Sequence, residues 1–161
     1  MKRSRHKLRL AGSHDVPWVE MEICSSLERA GKVGDEILAS CRAHHFNEQD
    51  IFAIKLALEE ALVNAVKHGN KCDSSKCIRV QYRVTDHRAD IAIEDQGAGF
   101  NPAELPDPTA DENLCRNCGR GILLMRAYMS NVVFNPQGNK VTLTKFNENP
   151  AEPMESSAAI G

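Results

Sequence analysis

The clearest pattern along the chain is an apolar stripe with helical spacing between residues 47 and 69. The stripe consists of Ile51, Ile54, Leu58, Leu62 and Ala65. Positions three and four residues apart share one side of a helix, so this segment predicts an amphipathic helix with one buried side. Asn47 is a favourable N-cap, and Phe46 and Ile51 are spaced for a hydrophobic staple. Gly69 predicts the end of the helix.

Weaker patterns predict a strand and another helix ahead of this segment. Residues 16–23 are expected to form an early strand, with residues 8–10 as its partner. Ser25 or Ser26 is expected to cap a helix that runs to about His44. The predicted inward side of that helix comprises Leu27, Ala30, Ile37 and Cys41.

Two later segments alternate apolar and polar residues with the period of a strand. Their apolar positions are Ile78, Val80, Tyr82 and Val84 in the first segment, and Ala89, Ile91 and Ile93 in the second. Residues 85–88 are expected to form the turn of a hairpin, and Asp95 to end its second strand. Residues 101–118 follow as a segment rich in proline and acidic residues. Because this segment is long for a plain connection, it predicts a functional lid.

The last part of the chain predicts a helix at about residues 120–129 and a closing hairpin. The strands of this hairpin are expected at residues 131–134 and 141–145, around Gly138. Together, the elements predict an α/β fold of the α+β two-layer sandwich type. Its helices would cover one face of a mixed, mostly antiparallel sheet.

Length and charge narrow the range of functions. The 161 residues suit one compact domain, which we place at residues 8–146. Residues 1–7 are expected to be a basic flexible arm, and residues 147–161 a disordered tail.

The net charge of −2 argues against a direct nucleic-acid partner. There is no apolar run of the ~20 residues that a membrane span needs and no visible signal peptide, so we expect a cytoplasmic protein with no membrane contact.

Three polar residues form a row beside the apolar stripe. Glu60, Asn64 and His68 follow one another at four-residue spacing, which places them on one side of a helix. Mg²⁺ prefers oxygen ligands and often takes only one or two from the protein, so the Asn64 amide oxygen is a candidate ligand. Glu60 is a candidate proton acceptor for an attacking hydroxyl or water. The alternative is a solvated polar edge, and the neighbouring Glu59 is also a candidate for the functional acid.

Two glycine-containing segments complete the candidate chemistry. Asp95 stands at a strand end, where it can accept a hydrogen bond from an exocyclic amine such as adenine N6. Gly97 and Gly99 follow it and allow a ligand to approach the backbone closely. Residues 119–121, Gly-Arg-Gly, precede the predicted helix, and free N–H groups at a helix start suit phosphate. A strand-ending turn and a loop-to-helix junction are the structural alternatives.

In their order and spacing, these segments resemble the GHKL ATPase superfamily, named for gyrase, Hsp90, histidine kinases and MutL. The resemblance covers residues 46–145. Residues 60–64 look like the N box of the superfamily, residues 95–99 like its G1 box and residues 119–121 like its G2 box. The resemblance implies a Bergerat fold that binds ATP and Mg²⁺.

Within the superfamily, the chain looks most like the anti-sigma-factor serine/threonine kinases of bacteria. The N box reads E-A-x-x-N-A-x-x-H-G from residue 60, and the G2 box reads GRGILLMRAYMSNVVF from residue 119. By this resemblance Glu60 would activate the substrate hydroxyl, and Asn64 would bind Mg²⁺. Asp95 would hold adenine, with Gly97 and Gly99 shaping its pocket. Gly119 and Gly121 would lie near the phosphates. Arg120 adds a charge that can reach phosphate or solvent.

The resemblance also implies partners. The substrate would be a STAS-type anti-anti-sigma protein, a sigma factor would be the second partner, and the kinase would be a homodimer. Two alternatives remain open. One is a nucleotide-binding anti-sigma module that does not phosphorylate its partner, and the other is a stand-alone histidine-kinase-like ATPase domain that works in trans.

The chain departs from the subgroup in two places. Residues 138–140 read Gly-Asn-Lys, where the subgroup often has Gly-Thr-Thr with a hydroxyl that helps to hold the nucleotide. The predicted lid contains a C-x-x-C pair, Cys115 and Cys118. With Cys72 and Cys77 these residues predict a zinc or redox site, to which free thiols are the alternative.

Overall fold

A computed structural model describes residues 16–104 and 117–150. Its strands are β1 (Val19–Cys24), β2 (Cys77–Val84), β3 (Arg88–Asp95), β4 (Asn131–Phe134) and β5 (Lys140–Phe146). Its α-helices are α1 (Leu27–Ala43), α2 (Glu48–Val63) and α3 (Asn117–Tyr128). A π-helical turn, Asn64–Gly69, continues α2, and a 3₁₀ turn spans Pro102–Glu104. The predicted strand at residues 8–10 and most of the predicted lid lie outside the described residues.

The described strands form one sheet in the order β1-β2-β3-β5-β4. Each of its four strand pairs is antiparallel. The prediction of a mixed sheet was therefore wrong for this part of the chain, whereas the mostly antiparallel two-layer arrangement is confirmed. Short turns join β2 to β3 and β4 to β5, and such turns can connect only antiparallel neighbours.

The core lies between one face of the sheet and the helices. Alternate residues of β2, β3 and β5 are buried there together with the stripe of α2 that the sequence predicted. Ala30, Ile37 and Cys41 of α1 are also buried, but Leu27 is 48% exposed. The prediction for Leu27 was wrong because it occupies the first position of α1, ahead of the buried residues of this helix, which begin at Ala30.

The helix starts follow the sequence signals. The Ser26 side chain accepts a hydrogen bond from Arg29 N at 3.2 Å. The Asn47 side chain accepts one from Asp50 N at 2.7 Å. These caps satisfy backbone N–H groups that the first turns of α1 and α2 leave without helical partners.

Two helix boundaries differ from the prediction. The helix that carries the polar row ends at Gly69 as expected, but its last residues form a wider π-helical turn in which Asn70 N donates to Ala65 O at 2.9 Å. Helix α3 begins at Asn117, about three residues before the predicted start. Glycine lowers helix propensity, and the packing of α3 against α2 outweighs that cost.

The structure also describes residues 147–150, which follow β5. Asn147, the first residue of the predicted tail, is buried, and its side chain donates to Asp86 O at 2.8 Å. Residues 151–161 lie outside the described part. Within residues 16–104 and 117–150, no helix is both long and apolar enough to cross a bilayer.

Candidate functional site

A cavity of about 540 Å³ opens where the end of α2 faces the end of β3. Its volume is in the range of small-molecule sites. Its lining comes from the π-helical turn, from residues 98–101, from α3 and from the β4–β5 turn. The lining includes the predicted site residues Asn64, Asp95 and Gly99. Segments that are far apart in the sequence therefore meet at one place.

Glu60 of α2 and Asn64, the first residue of the π-helical turn, lie against Gly121 of α3. A Cβ atom added to Gly121 would lie 2.6 Å from Glu60 Oε2 and 3.4 Å from Asn64 Nδ2. Glu60 is half-buried, whereas the adjacent Glu59 is exposed. Glu60 rather than Glu59 is therefore the acid that packs against α3, one helical turn from the cavity-lining Asn64.

Residues 119–121 were predicted to precede a helix and to offer free N–H groups to phosphate. Helix α3 starts earlier, at Asn117, and this changes their role. Gly119 and Gly121 lie inside the first turns of this helix rather than ahead of it. Only the first few N–H groups of a helix lack helical partners, so the backbone N–H of Gly121 is not the free donor that the sequence predicted. Gly121 instead provides room for the Glu60 and Asn64 side chains. Arg120 is exposed on the same helix.

Asp95, the last residue of β3, also lines the cavity. One of its carboxylate oxygens, Oδ1, accepts a hydrogen bond from Gly97 N at 2.8 Å. Burial raises the pKa of Asp95, and the charge of Glu94 adds to this effect, while the Gly97 hydrogen bond offsets part of it. A half-buried carboxylate with an oxygen left for a ligand is suited to accept a hydrogen bond from an amino group.

Asn70 connects the two segments that carry Asn64 and Asp95. It is fully buried, its Nδ2 donates to Cys77 O at 3.0 Å, and its Oδ1 accepts from Gln96 N at 2.8 Å. This side chain fixes the residue after Asp95 to the end of the π-helical turn. Sequence reasoning missed Asn70. Its place directly after the N-box glycine was the only available signal.

The Gly-Asn-Lys segment at residues 138–140 borders the cavity. Asn139 Nδ2 donates to Asp95 O at 3.1 Å, and Asp95 N donates to Asn139 O at 2.9 Å. Gly138 and Gly99 have φ values of 75° and 74°, a region that favours glycine. Asn139 therefore supports the backbone of Asp95.

Cationic side chains line the cavity at Lys71, which the sequence did not single out, and at Lys140 of the Gly-Asn-Lys segment. Lys71 follows the π-helical turn with a φ of 52°, which is uncommon for a residue other than glycine. Lys140 begins β5 and also lines the cavity, as does His68. The two lysines supply positive charge for an anionic ligand.

The predicted four-cysteine site is not assembled within the described residues. Cys72 is exposed, Cys77 is partly buried, and both are free thiols. Residues 16–104 and 117–150 contain no group of three or more His, Cys, Asp or Glu side chains suited to a metal ion. Cys115 lies outside the described residues, so the prediction for all four residues stays untested.

The comparison with protein families decides the class of this site. The model of the histidine kinase-like ATPase domain matches residues 23–145. The chain belongs to this family. This match confirms the expected GHKL fold. Membership of an ATPase-domain family implies that the chain binds ATP.

The similar curated proteins include anti-sigma factors and serine-protein kinases. The chain is 32% identical to an anti-sigma F factor of Clostridium perfringens strain SM101, over 58% of this chain and 69% of the relative. It is 28% identical to the serine-protein kinase RsbW of Bacillus licheniformis, over 80% of this chain and 85% of the relative. Both alignments support the predicted resemblance to the anti-sigma subgroup.

A solved structure supports the fold independently. The structure of the RsbU and RsbW domains of Rv1364c from Mycobacterium tuberculosis matches with a TM-score of 0.55 and 19% identity. The match covers 82% of this chain and 32% of that longer chain. At this identity the likeness bears on the fold alone.

Proposed function

We propose that the chain is an ATP-dependent serine/threonine kinase that acts as an anti-sigma factor. The observation that carries this proposal is that Glu60 and Asn64 both lie against Gly121, and that Asn64 and Asp95 line the same cavity. In this proposal the Glu60 carboxylate serves the phosphate end of ATP, and the Asp95 carboxylate accepts a hydrogen bond from the adenine end. The relatives named anti-sigma factor and serine-protein kinase support the same function.

In the proposed reaction, Glu60 accepts the proton of a serine or threonine hydroxyl on a protein substrate. The hydroxyl oxygen forms a bond to the γ-phosphorus of ATP, and the bond from that phosphorus to the β–γ bridging oxygen breaks. ADP leaves with the electron pair. Asp95 holds the adenine amino group, with Gly97 and Gly99 shaping the pocket around it, and Gly119 and Arg120 lie on the helix assigned to the phosphates.

The residues on the cavity wall fit a magnesium ion. Among the described residues, no hydrogen-bond partner is found for the Asn64 side chain, whose amide oxygen is the type of ligand that Mg²⁺ takes. Asn64 would hold the ion together with phosphate oxygens and water. The ion would neutralise charge on the phosphates. Glu60 would position the serine or threonine hydroxyl of the substrate.

The proposed partners follow from the subgroup. The substrate is a STAS-type anti-anti-sigma protein, and the second partner is a sigma factor that the kinase sequesters when the antagonist is phosphorylated. The active form is a homodimer. Phosphorylation of the STAS protein would thus release the kinase to bind the sigma factor.

The test is transfer of labelled γ-phosphate from ATP to a STAS-domain protein of the same organism, with Mg²⁺ present. We expect an acid-stable phosphoserine or phosphothreonine on the STAS protein. Glu60→Gln is expected to lower the rate by about 10²–10⁴-fold. The matched control is Glu59→Gln, because this neighbour has the same chemistry but is exposed. Calorimetry on Asp95→Asn is expected to show the loss of ATP binding.

Three outcomes would contradict parts of this proposal. Full activity in Glu60→Gln would remove Glu60 as the proton acceptor. An acid-labile product would indicate a histidine-kinase-like ATPase domain instead. A complete lack of phosphorylation, with ATP still changing the affinity for the partner, would indicate a non-catalytic anti-sigma module.

A further inference from the structure

Two cysteines face each other across the first two strands of the sheet. Cys24 ends β1, Cys77 begins β2, and the two are directly paired in the antiparallel register. Their neighbours Ile23 and Ile78 belong to the core side. Since successive residues of a strand point to opposite faces, both thiols lie on the outer face of the sheet, which is the face turned away from the helices.

The hydrogen bonds identify the type of this pair. Cys77 N donates to the side chain of Gln96 at 2.8 Å, which is on the side of β3 rather than β1. The bond between β1 and β2 is made by the next residues, from Ser25 N to Lys76 O at 3.0 Å. Cys24 and Cys77 are therefore a non-hydrogen-bonded pair, in which the Cα atoms are typically about 4.5 Å apart. Disulfides span Cα separations of roughly 4.4–6.8 Å.

The two thiols differ in their surroundings. Cys24 is exposed, whereas Cys77 is partly buried. Desolvation raises the pKa of the Cys77 thiol, and its hydrogen bond to the Glu22 carboxylate and the negative charge of Glu22 raise it further. Cys24 is thus the thiol that an external reagent reaches, and Cys77 is the thiol held next to it.

We propose that Cys24 and Cys77 form a dithiol site that low-molecular-weight disulfides oxidise to an intrachain disulfide. The Cys24 thiolate attacks one sulfur of the reagent, its S–S bond breaks, and one reagent thiol leaves. The Cys77 sulfur then attacks Cys24 Sγ and displaces the second reagent thiol. The two cysteine protons end on the two released thiols, and two electrons pass from the protein to the reagent.

The site has a direct connection to the cavity. The carbonyl of Cys77 is the acceptor for Asn70, and the N–H of Cys77 holds Gln96. Asn70 and Gln96 also join each other beside Asp95. A bond that ties Cys77 to β1 therefore acts on the support of Asp95, and we expect oxidation to change nucleotide affinity. This expectation rests on the proposed function.

The first test maps the bond in the folded chain of 161 residues after treatment with oxidised glutathione and blocking of the remaining thiols. Trypsin places each of the six cysteines on a separate peptide, because Lys or Arg separates every pair in the sequence. We expect residues 77–79 joined to residues 10–29, with no such product from Cys24→Ser. The control Cys72→Ser removes an exposed thiol close in sequence and should leave the product unchanged. Persistent glutathione adducts on Cys24 without this cross-link, or a cross-link of Cys77 to another cysteine, would overturn the proposal.

The second test measures ATP affinity of reduced and oxidised protein by calorimetry. We expect the dissociation constant of the wild type to change by about fivefold or more on oxidation, and that of Cys24→Ser to stay the same. An unchanged constant in cross-linked wild type would overturn the connection to the cavity. If the reduced protein binds no ATP, the proposed function fails, while the peptide map still decides the dithiol site.

Discussion

The Asp95 carboxylate packs directly against the Cα of Gly69. This contact joins the end of β3 to the end of the π-helical turn, and a Cβ at residue 69 would overlap the carboxylate. The backbone of Gly69 is not in the left-handed region, so a larger residue is excluded by space rather than by backbone strain. Gly69, which ends the predicted helix, thus also leaves the space that the Asp95 carboxylate, the proposed adenine acceptor, occupies.

Gly69→Ala is expected to displace the Asp95 carboxylate and weaken ATP binding by about tenfold or more, because a hydrogen bond to a charged group is lost. Isothermal titration calorimetry measures this effect. The control is Gly31→Ala in α1, where no atom lies within 4 Å of the added Cβ. That variant should keep its ATP affinity and gain about 0.5–1 kcal/mol of unfolding free energy. Wild-type affinity in Gly69→Ala would argue against Asp95 as the adenine acceptor.

Gly121→Ala is expected to move Glu60 without unfolding the protein. The added Cβ would lie 2.6 Å from Glu60 Oε2, which is the mobile end of a flexible side chain. We expect phosphotransfer to fall by about tenfold to hundredfold, with ATP affinity and stability retained. In the control Gly34→Ala, the new Cβ meets Leu62 Cδ1 at an ordinary 3.8 Å, so activity should persist. Equal activities in the two variants would contradict a catalytic role for Glu60.

Local signals in the sequence were sufficient for much of the fold. The caps Ser26 and Asn47, the stripe of α2 and the alternation in β2 and β3 each depend on neighbours a few residues away. The start of α3 and the π-helical turn were not predictable in this way. Gly121 is tolerated inside a helix because of its packing against α2, which is a contact between distant segments.

The same distinction applies to the candidate site. Glu60, Asn64 and Asp95 could be named because motif spacing and family resemblance mark them. The supports of Asp95 could not, since Asn70 and Asn139 act through hydrogen bonds to backbone groups of other segments. Cys24 was missed as the partner of Cys77 for the same reason, because the strand register is set by the whole sheet.

Asn70→Ala is expected to lower both stability and ATP affinity. The change leaves Cys77 O and Gln96 N without their side-chain partner, and an unsatisfied buried group costs about 1–3 kcal/mol. Urea unfolding gives the stability, and calorimetry gives the affinity. Asn131→Ala is the control, because Asn131 is exposed on β4. If Asn70→Ala loses stability but binds ATP as the wild type does, Asn70 does not position Asp95.

A buried aspartate on the outer face of the sheet should make stability depend on pH. Burial raises the pKa of Asp90, but hydrogen bonds from Arg88, Arg83 and Thr144 more than offset this, so the pKa is lower than usual. The ionised form is therefore favoured by folding. The stabilisation it gives is present above the unfolded-state pKa of about 3.9 and is lost as the pH falls through the lower folded-state pKa.

Asp90→Asn tests this dependence, since the amide keeps the shape of the side chain but cannot form the ion pairs. We expect a loss of about 1–3 kcal/mol in the free energy of unfolding at pH 7. The difference from wild type should shrink as the pH falls below about 4. Urea unfolding across this range measures it, and Asp35→Asn at an exposed position of α1 should match the wild type throughout. A difference that stays constant with pH would mean that the Asp90 ion pairs do not contribute to stability, and that the cost of Asp90→Asn comes from the loss of its hydrogen-bond geometry alone.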